Sequence, residues 1–251
     1  MVLIFVALRA ESQPIVERLA KRTALTQPGL TGYRGQLGGR EVALVVTGMG
    51  PSRSRIAAAR AMDVLTRAEL VFTSGVSGGL RDDLVIGQVV VSQSLLTSGE
   101  DDFWPEQIIQ TPTRWLDTLT AALDECKISH ALGPTITLRR PLMTAADKQQ
   151  AFQQSGAISV DMESAAIALE AQRRALPFIA LRTILDTSRE DVVGARLLDQ
   201  NGVVRPLGAI RTIIANPRLI IGAIHLMRNL RRATHSLASV LEVTLPRLEL
   251  T

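Results

Sequence analysis

Apolar runs and helical periodicity alternate along the 251-residue chain. The run VLIFVAL (2–8) has no polar break, the pattern of a strand covered on both faces. Helical spacing follows from about Glu11 to Lys21, and the glycine-rich GLTGYRGQLGGR reads as a hairpin. EVALVVTGMG is a strand running into glycines, after which Pro51 and Ser52 open a helix to about Leu65. AELVFTSGVSGGL repeats the plan, a strand predicted to end in a Gly/Ser turn. GQVVVSQSL is a strand and PTRWLDTLTAALDE a helix, with a polar loop, TSGEDDFWPEQ, between them. ALGPTITL predicts a strand, AADKQQAFQQSG a short helix, 162–174 another helix, and LPFIALRTILD a strand ending at Asp186.

This alternation predicts an α/β sandwich with a parallel or mixed central sheet. No internal repeat, low-complexity tract or domain boundary interrupts it, so 1–251 is expected to be a single domain. Within it, 199–251 forms a basic, helical C-terminal extension.

Composition narrows the classes of function. Hydrophobic residues make up 46% and charged residues 21%, as in a compact globular protein. A single cysteine, Cys126, excludes an internal disulfide framework, and the three histidines lack metal-ligand spacing, so no metal and no cofactor are expected. The net charge of +4 raises nucleic-acid binding. The basic residues instead crowd between Arg205 and Arg232 with few aromatics to stack bases, and no nucleic-acid partner is expected. The apolar start lacks the basic segment of a signal peptide, and no run reaches the roughly 20 residues of a transmembrane helix. A cytoplasmic location is expected. PRLIIGAIHLMRNLRR (217–232) has a short apolar core bracketed by arginines, suiting an interfacial helix at the inner membrane face, a hydrophobic channel, or a core helix.

Ligands of open α/β sheets gather at the C-terminal ends of strands, where three stretches carry candidate chemistry. In TGMGPSR, Gly48 and Gly50 fit a dinucleotide fingerprint, but Arg53 stands at its third glycine. A plain strand-to-helix turn remains open for this loop. SGVSGGL offers glycines for close backbone approach and serines as donors. In LRTILDTSRED, Arg182 and Asp186 lie four apart, on one face of a regular strand, although Asp186 also suits a turn. In SVDMESAA, Asp161 suits a helix cap. Glu163 has almost no wet face around it, and a buried carboxylate needs donors, which paired sugar hydroxyls would supply.

Taken in order, Glu11 after the first strand, TGMGPS, SGVSGGLRDDLVIGQVVVS, VDMESAAIA and PFIALRTILD resemble the nucleoside phosphorylase/nucleosidase superfamily. The likeness spans about residues 2 to 190 and implies a three-layer α/β/α sandwich with a mixed central sheet. The stretch from Leu197 to Ala233, with SGAISVDMESAAIA, resembles the hopanoid-associated branch, whose implied task is removing adenine from adenosylhopane. The resemblance implies a homodimer and an adenosine-containing, lipid-linked substrate. It implies that Glu163 accepts from the ribose 2′- and 3′-hydroxyls and that Met162 packs on the sugar. Asp186 would protonate adenine N7, Glu11 would orient an attacking water, and Arg182 would hold the nucleophile or a carboxylate. Ser77, Gly78, Val160 and Asp161 complete the expected substrate site, and Gly50, Ser74 and Val76 a candidate anion or nucleophile site.

The chain also departs from that pattern. Phosphorylases carry Gly-Asp-Pro-x-Arg after the first strand, where this chain has ALRAES, and an arginine and serine for phosphate where Thr73 and Val76 stand. These losses favour water as nucleophile. GMGPS looks more like the phosphorylase loop, and Arg9, Arg53, Ser74 and Ser77 would be the parts of an unorthodox anion site. Val76 also replaces a serine of the nucleosidases. No phenylalanine matches the base-stacking position, for which Leu142 or Met143 would substitute. Phosphorolysis, methylthioadenosine/S-adenosylhomocysteine cleavage and non-catalytic nucleoside binding remain the alternatives.

Overall fold

The computed structural model describes residues 1–99, 102–192 and 218–248. Among them, ten strands form one mixed sheet. β1 (Val2–Val6) lies parallel between β4 (Arg40–Val46) and β5 (Leu70–Gly79). β4 continues antiparallel into β3 (Gly32–Leu37), and β3 into β2 (Ala20–Ala24). On its other side β5 pairs with both β10 (Phe178–Asp186) and β9 (Ser159–Asp161). β10 pairs with β6 (Val89–Ser98), β6 with β8 (His130–Thr137), and β8 with β9, so five strands close into a ring. β7 (Pro105–Gln110) edges β6.

Two helical layers cover the sheet, and the period of two along each strand sorts its side chains between them. Val2, Ile4 and Val6 of β1, Leu70 and Phe72 of β5, and Ile179 and Leu181 of β10 enter one core cluster. That cluster includes residues of α1 (Arg9–Val16), α3 (Thr113–Glu125) and α6 (Arg218–Thr244). The alternate residues Leu3, Phe5, Val71, Phe178 and Ala180 meet α2 (Pro51–Val64) and α5 (Ser164–Arg173). α4 (Ala145–Ser155) sends Ala151 into a smaller cluster with Leu80, Ile136, Leu142 and Val160. This is the expected sandwich, with the strand ring added.

Three elements differ from the sequence pattern. α1 stops at Val16, because beyond Glu17 the amides of Arg18 and Leu19 turn to Ile15 O and Val16 O, three residues back, before β2. All five residues of β2 are exposed, so this edge strand has no apolar face to betray it. The expected Gly/Ser turn is instead the second half of β5, paired along its length with β10 and β9.

The C-terminal extension is partly integral to the core. Ala233, Leu237, Ala238, Val240 and Leu241 of α6 are buried, and Thr183 Oγ1 donates to Ala233 O at 3.0 Å. Ile224 and Met227, nearer its start, are exposed. No described helix is long and apolar enough to cross a membrane. The expected segment 199–217, apart from this helix, lies outside the described residues, as do Glu100 and Asp101 of the polar loop.

Candidate functional site

A cavity of about 360 Å³, within the usual range for small-molecule sites, opens where β1, β5 and β10 end. It brings together Glu11, Val76, Ser77, Gly78, Val160, Asp161, Met162, Glu163 and Asp186. Its remaining wall is apolar: Ala7, Leu8, Met49, Pro141, Leu142, Leu185, Val192 and Leu226. No arginine, lysine or histidine is among these lining residues.

Glu11 is 2% exposed and held by the backbone on two sides. Oε2 accepts from Leu8 N at 2.7 Å, the reach-back of an N-terminal helix acid, and Oε1 accepts from Val76 N at 2.9 Å. Each oxygen keeps a lone pair for a further donor. Burial pushes the carboxyl up from its usual range, while the Val76 amide and the Arg182 guanidinium pull it back. Close approach here depends on Gly75. At φ +148°, a Cβ on it would stand 2.5 Å from Arg182 Nη1 and 2.7 Å from Glu11 Oε1.

Glu163 enters from the start of α5, buried at 6% exposure. Gly50 N donates to its Oε1 at 2.7 Å, tying it to the loop before α2. Burial is the larger cause that pushes it up to about 8. Asp161 and Glu11 add to the rise, and Arg182 and the Gly50 amide oppose it. Asp161 plays the capping part. Its Oδ1 accepts from the amides of Glu163 and Ser164 at 3.2 Å each and from Thr137 Oγ1 at 2.7 Å.

Arg182 does not line the cavity; it lies buried behind it. Nη2 donates to Ser164 Oγ at 2.6 Å and Thr73 Oγ1 at 3.0 Å, and Nε donates to Ser164 Oγ at 3.0 Å. Asp161 Oδ2 stands 2.8 Å from Nε, yet that hydrogen points at Ser164, so the contact is coulombic and Oδ2 takes no hydrogen bond. Arg182 thus stands as a counter-charge beside Asp161, Glu11 and Glu163.

Arg182 and Asp186 also fail to share a partner. A register irregularity between Ile184 and Asp186 breaks the regular period on which their common face was predicted. Asp186 pairs instead with Lys148 Nζ of α4, a residue the sequence reading missed. Burial pushes Asp186 up from the usual carboxylate range against the pull of Lys148. The available signal was weak: a lysine in the first turn of a helix, the wrong end for its charge.

The remaining expected residues are dispersed. Gly50 borders a neighbouring cavity with Arg53, and Arg9 is exposed on α1. Ser74 is buried outside the cavity wall, while Ser77 lines it, and neither hydroxyl has a hydrogen-bond partner. Of Arg9, Arg53, Ser74 and Ser77, only Ser77 lines this cavity. Leu142 lines the cavity and Met143 does not.

Residues 2–203 match the Phosphorylase superfamily. The 5′-methylthioadenosine/S-adenosylhomocysteine nucleosidase of Shewanella piezotolerans is 25% identical over 197 residues, covering 74% of this chain and 85% of that protein. Among solved structures, the corresponding nucleosidase of Helicobacter pylori, complexed with a pyrrolopyrimidine-bearing pyrrolidinol, superposes with a TM-score of 0.76. It is 20% identical and covers 98% of both chains. Futalosine hydrolase of Helicobacter pylori superposes with the same score at 20% identity, covering 98% of this chain and 97% of that one.

Proposed function

The chain belongs to the phosphorylase superfamily, and from that premise we propose that it hydrolyses the N-glycosidic bond of a 5′-substituted adenosine. The observation that carries this is the cavity wall, which gathers Glu11, Asp161, Glu163 and Asp186 with no lining cation among the described residues. Water can enter such a site. Among the described residues the polar groups of this wall are mostly carboxyls, which can orient water by accepting its protons but offer a phosphate dianion no guanidinium or ammonium in the wall itself.

Breaking the C–N bond builds positive charge on the ribose and negative charge on the leaving purine. Asp186, held above the usual carboxylate range, donates its proton to adenine N7, a kind of assistance worth roughly 10²–10⁴-fold. Glu163 accepts from the ribose hydroxyls, and Met162 packs on the sugar. Glu11, anchored by two amides, takes hydrogen bonds from the attacking water and receives its proton. Leu142 provides an aliphatic surface for the base. In its finer form, the substrate is adenosylhopane, leaving ribosylhopane and adenine. The apolar Val192 and Leu226 in the wall support a lipid 5′ substituent. The exposed Ile224 and Met227 on α6 support peripheral contact with the inner membrane face, and the homodimer belongs to the same reading.

Phosphorolysis is the second reading, favoured by Arg53, Arg55 and Arg139 around the neighbouring cavity beyond Met49 and Met162. The protein should be incubated with methylthioadenosine, S-adenosylhomocysteine and adenosylhopane, with and without phosphate, and both products identified. Adenine with a free reducing ribose, at a rate indifferent to phosphate, is the expected result. A sugar 1-phosphate overturns hydrolysis, and binding without release of base makes this a nucleoside-binding protein.

A further inference from the structure

Lys148 is fully buried in the first turns of α4, where the positive end of the helix dipole disfavours a cation. Helix stability therefore does not account for it. Its ammonium has three protons and meets three acceptors: Thr187 O at 2.8 Å, Glu190 O at 2.7 Å, and Asp186 Oδ2. All three acceptors lie in one short stretch, from the last residue of β10 to Glu190. Two backbone carbonyls account for a staple between α4 and that stretch. The third contact reaches a carboxylate in the cavity wall, which a staple does not require.

We propose that Lys148 is a positioning residue for the acid at Asp186, fixing which carboxyl oxygen faces the ligand and holding the charge left when the proton departs. Its kinetic consequence rests on the proposed reaction. With Oδ2 turned to Lys148, Oδ1 carries the proton. In the step itself the Oδ1–H bond breaks and its electron pair stays on Asp186. The proton goes to N7, and the glycosidic pair goes to the purine ring. The new carboxylate is then already in contact with a cation.

Among the described residues, Glu190 in the loop that follows adds to the rise of Asp186, and Glu11, Asp161 and Glu163 line the same cavity wall. Lys148 is the charge that opposes burial and Glu190 at Asp186. Removing its charge makes Asp186 hold its proton to higher pH and give it up less readily.

Lys148→Met and Lys148→Gln test this, the glutamine keeping a neutral donor for the two carbonyls. Carboxyl ¹³C titration of Asp-labelled protein, with Asp186→Asn assigning the resonance, should show the Asp186 midpoint raised by about one unit or more in the folded variants. In wild type the Lys148 side-chain ¹⁵N resonance should move with that same midpoint, a readout independent of how the variants fold. In turnover, the basic limb of the pH profile should shift upward and kcat should fall with KM little changed. An unmoved Asp186 midpoint in either folded variant, or a wild-type Lys148 resonance indifferent to it, overturns the proposal. A raised midpoint in a protein that releases no base leaves the Lys148 link standing and removes the proposed reaction instead.

Discussion

Glu163 shows how much one carboxyl is governed by its surroundings. Its pKa, pushed up to about 8, means that the folded protein binds a proton there which the unfolded chain releases near its ordinary value of 4.5. The stability this gives is fully present below that ordinary value and is lost as pH rises through about 8. Glu163→Gln should therefore flatten the fall in melting temperature between about pH 5 and 8.5, gaining most at the alkaline end. The same change leaves one acceptor oxygen in place of two for the proposed ribose contact and should lower kcat/KM about 10-fold, the worth of one hydrogen bond. Thermal denaturation across pH and steady-state kinetics check the two halves separately. The sequence made this residue legible because its neighbours in α5 are apolar. It did not disclose the Gly50 amide on Oε1, a contact between residues 113 positions apart.

At the scale of elements, β5 carries the strongest constraint. Its glycines looked like punctuation, yet the strand runs through them because neighbouring groups need the space their missing side chains leave. Gly75→Ala should displace both Glu11 and Arg182, cost more than about 1 kcal/mol of stability from backbone strain alone, and lower turnover beyond what the fraction unfolded explains. Normal melting temperature and turnover in Gly75→Ala would contradict the observed packing. Apolar runs made β1, β4 and β10 readable. β2 was unreadable because every residue faces solvent, and the irregularity in β10 because it is set by pairing with β5 rather than by local composition. Lys148 was hidden for a related reason, since its partners come from the end of β10 and the loop beyond.

Across the whole molecule, α6 joins the core to the cavity rim. Its second half packs among the buried residues of the sheet, while Leu226 lines the cavity and Ile224 and Met227 face outward. Membrane contact is therefore to be tested by surface substitution, since deleting the helix would strip a core layer. Replacing Ile224 and Met227 together with glutamate should leave the melting temperature nearly unchanged and weaken binding to anionic vesicles. Undiminished binding to those vesicles would remove this face of α6 from the proposed contact.

A wall with no cation among the described residues bears, under the proposed reaction, on the direction of chemistry as well as its nucleophile. Transfer to phosphate conserves the glycosidic bond energy in a sugar phosphate and stays within reach of reversal. Transfer to water, present in vast excess, does not. A site that admits only water acts as a one-way valve, draining its nucleoside without storing the energy of the bond it breaks. Whatever reaction supplies that nucleoside would be drawn forward by its removal.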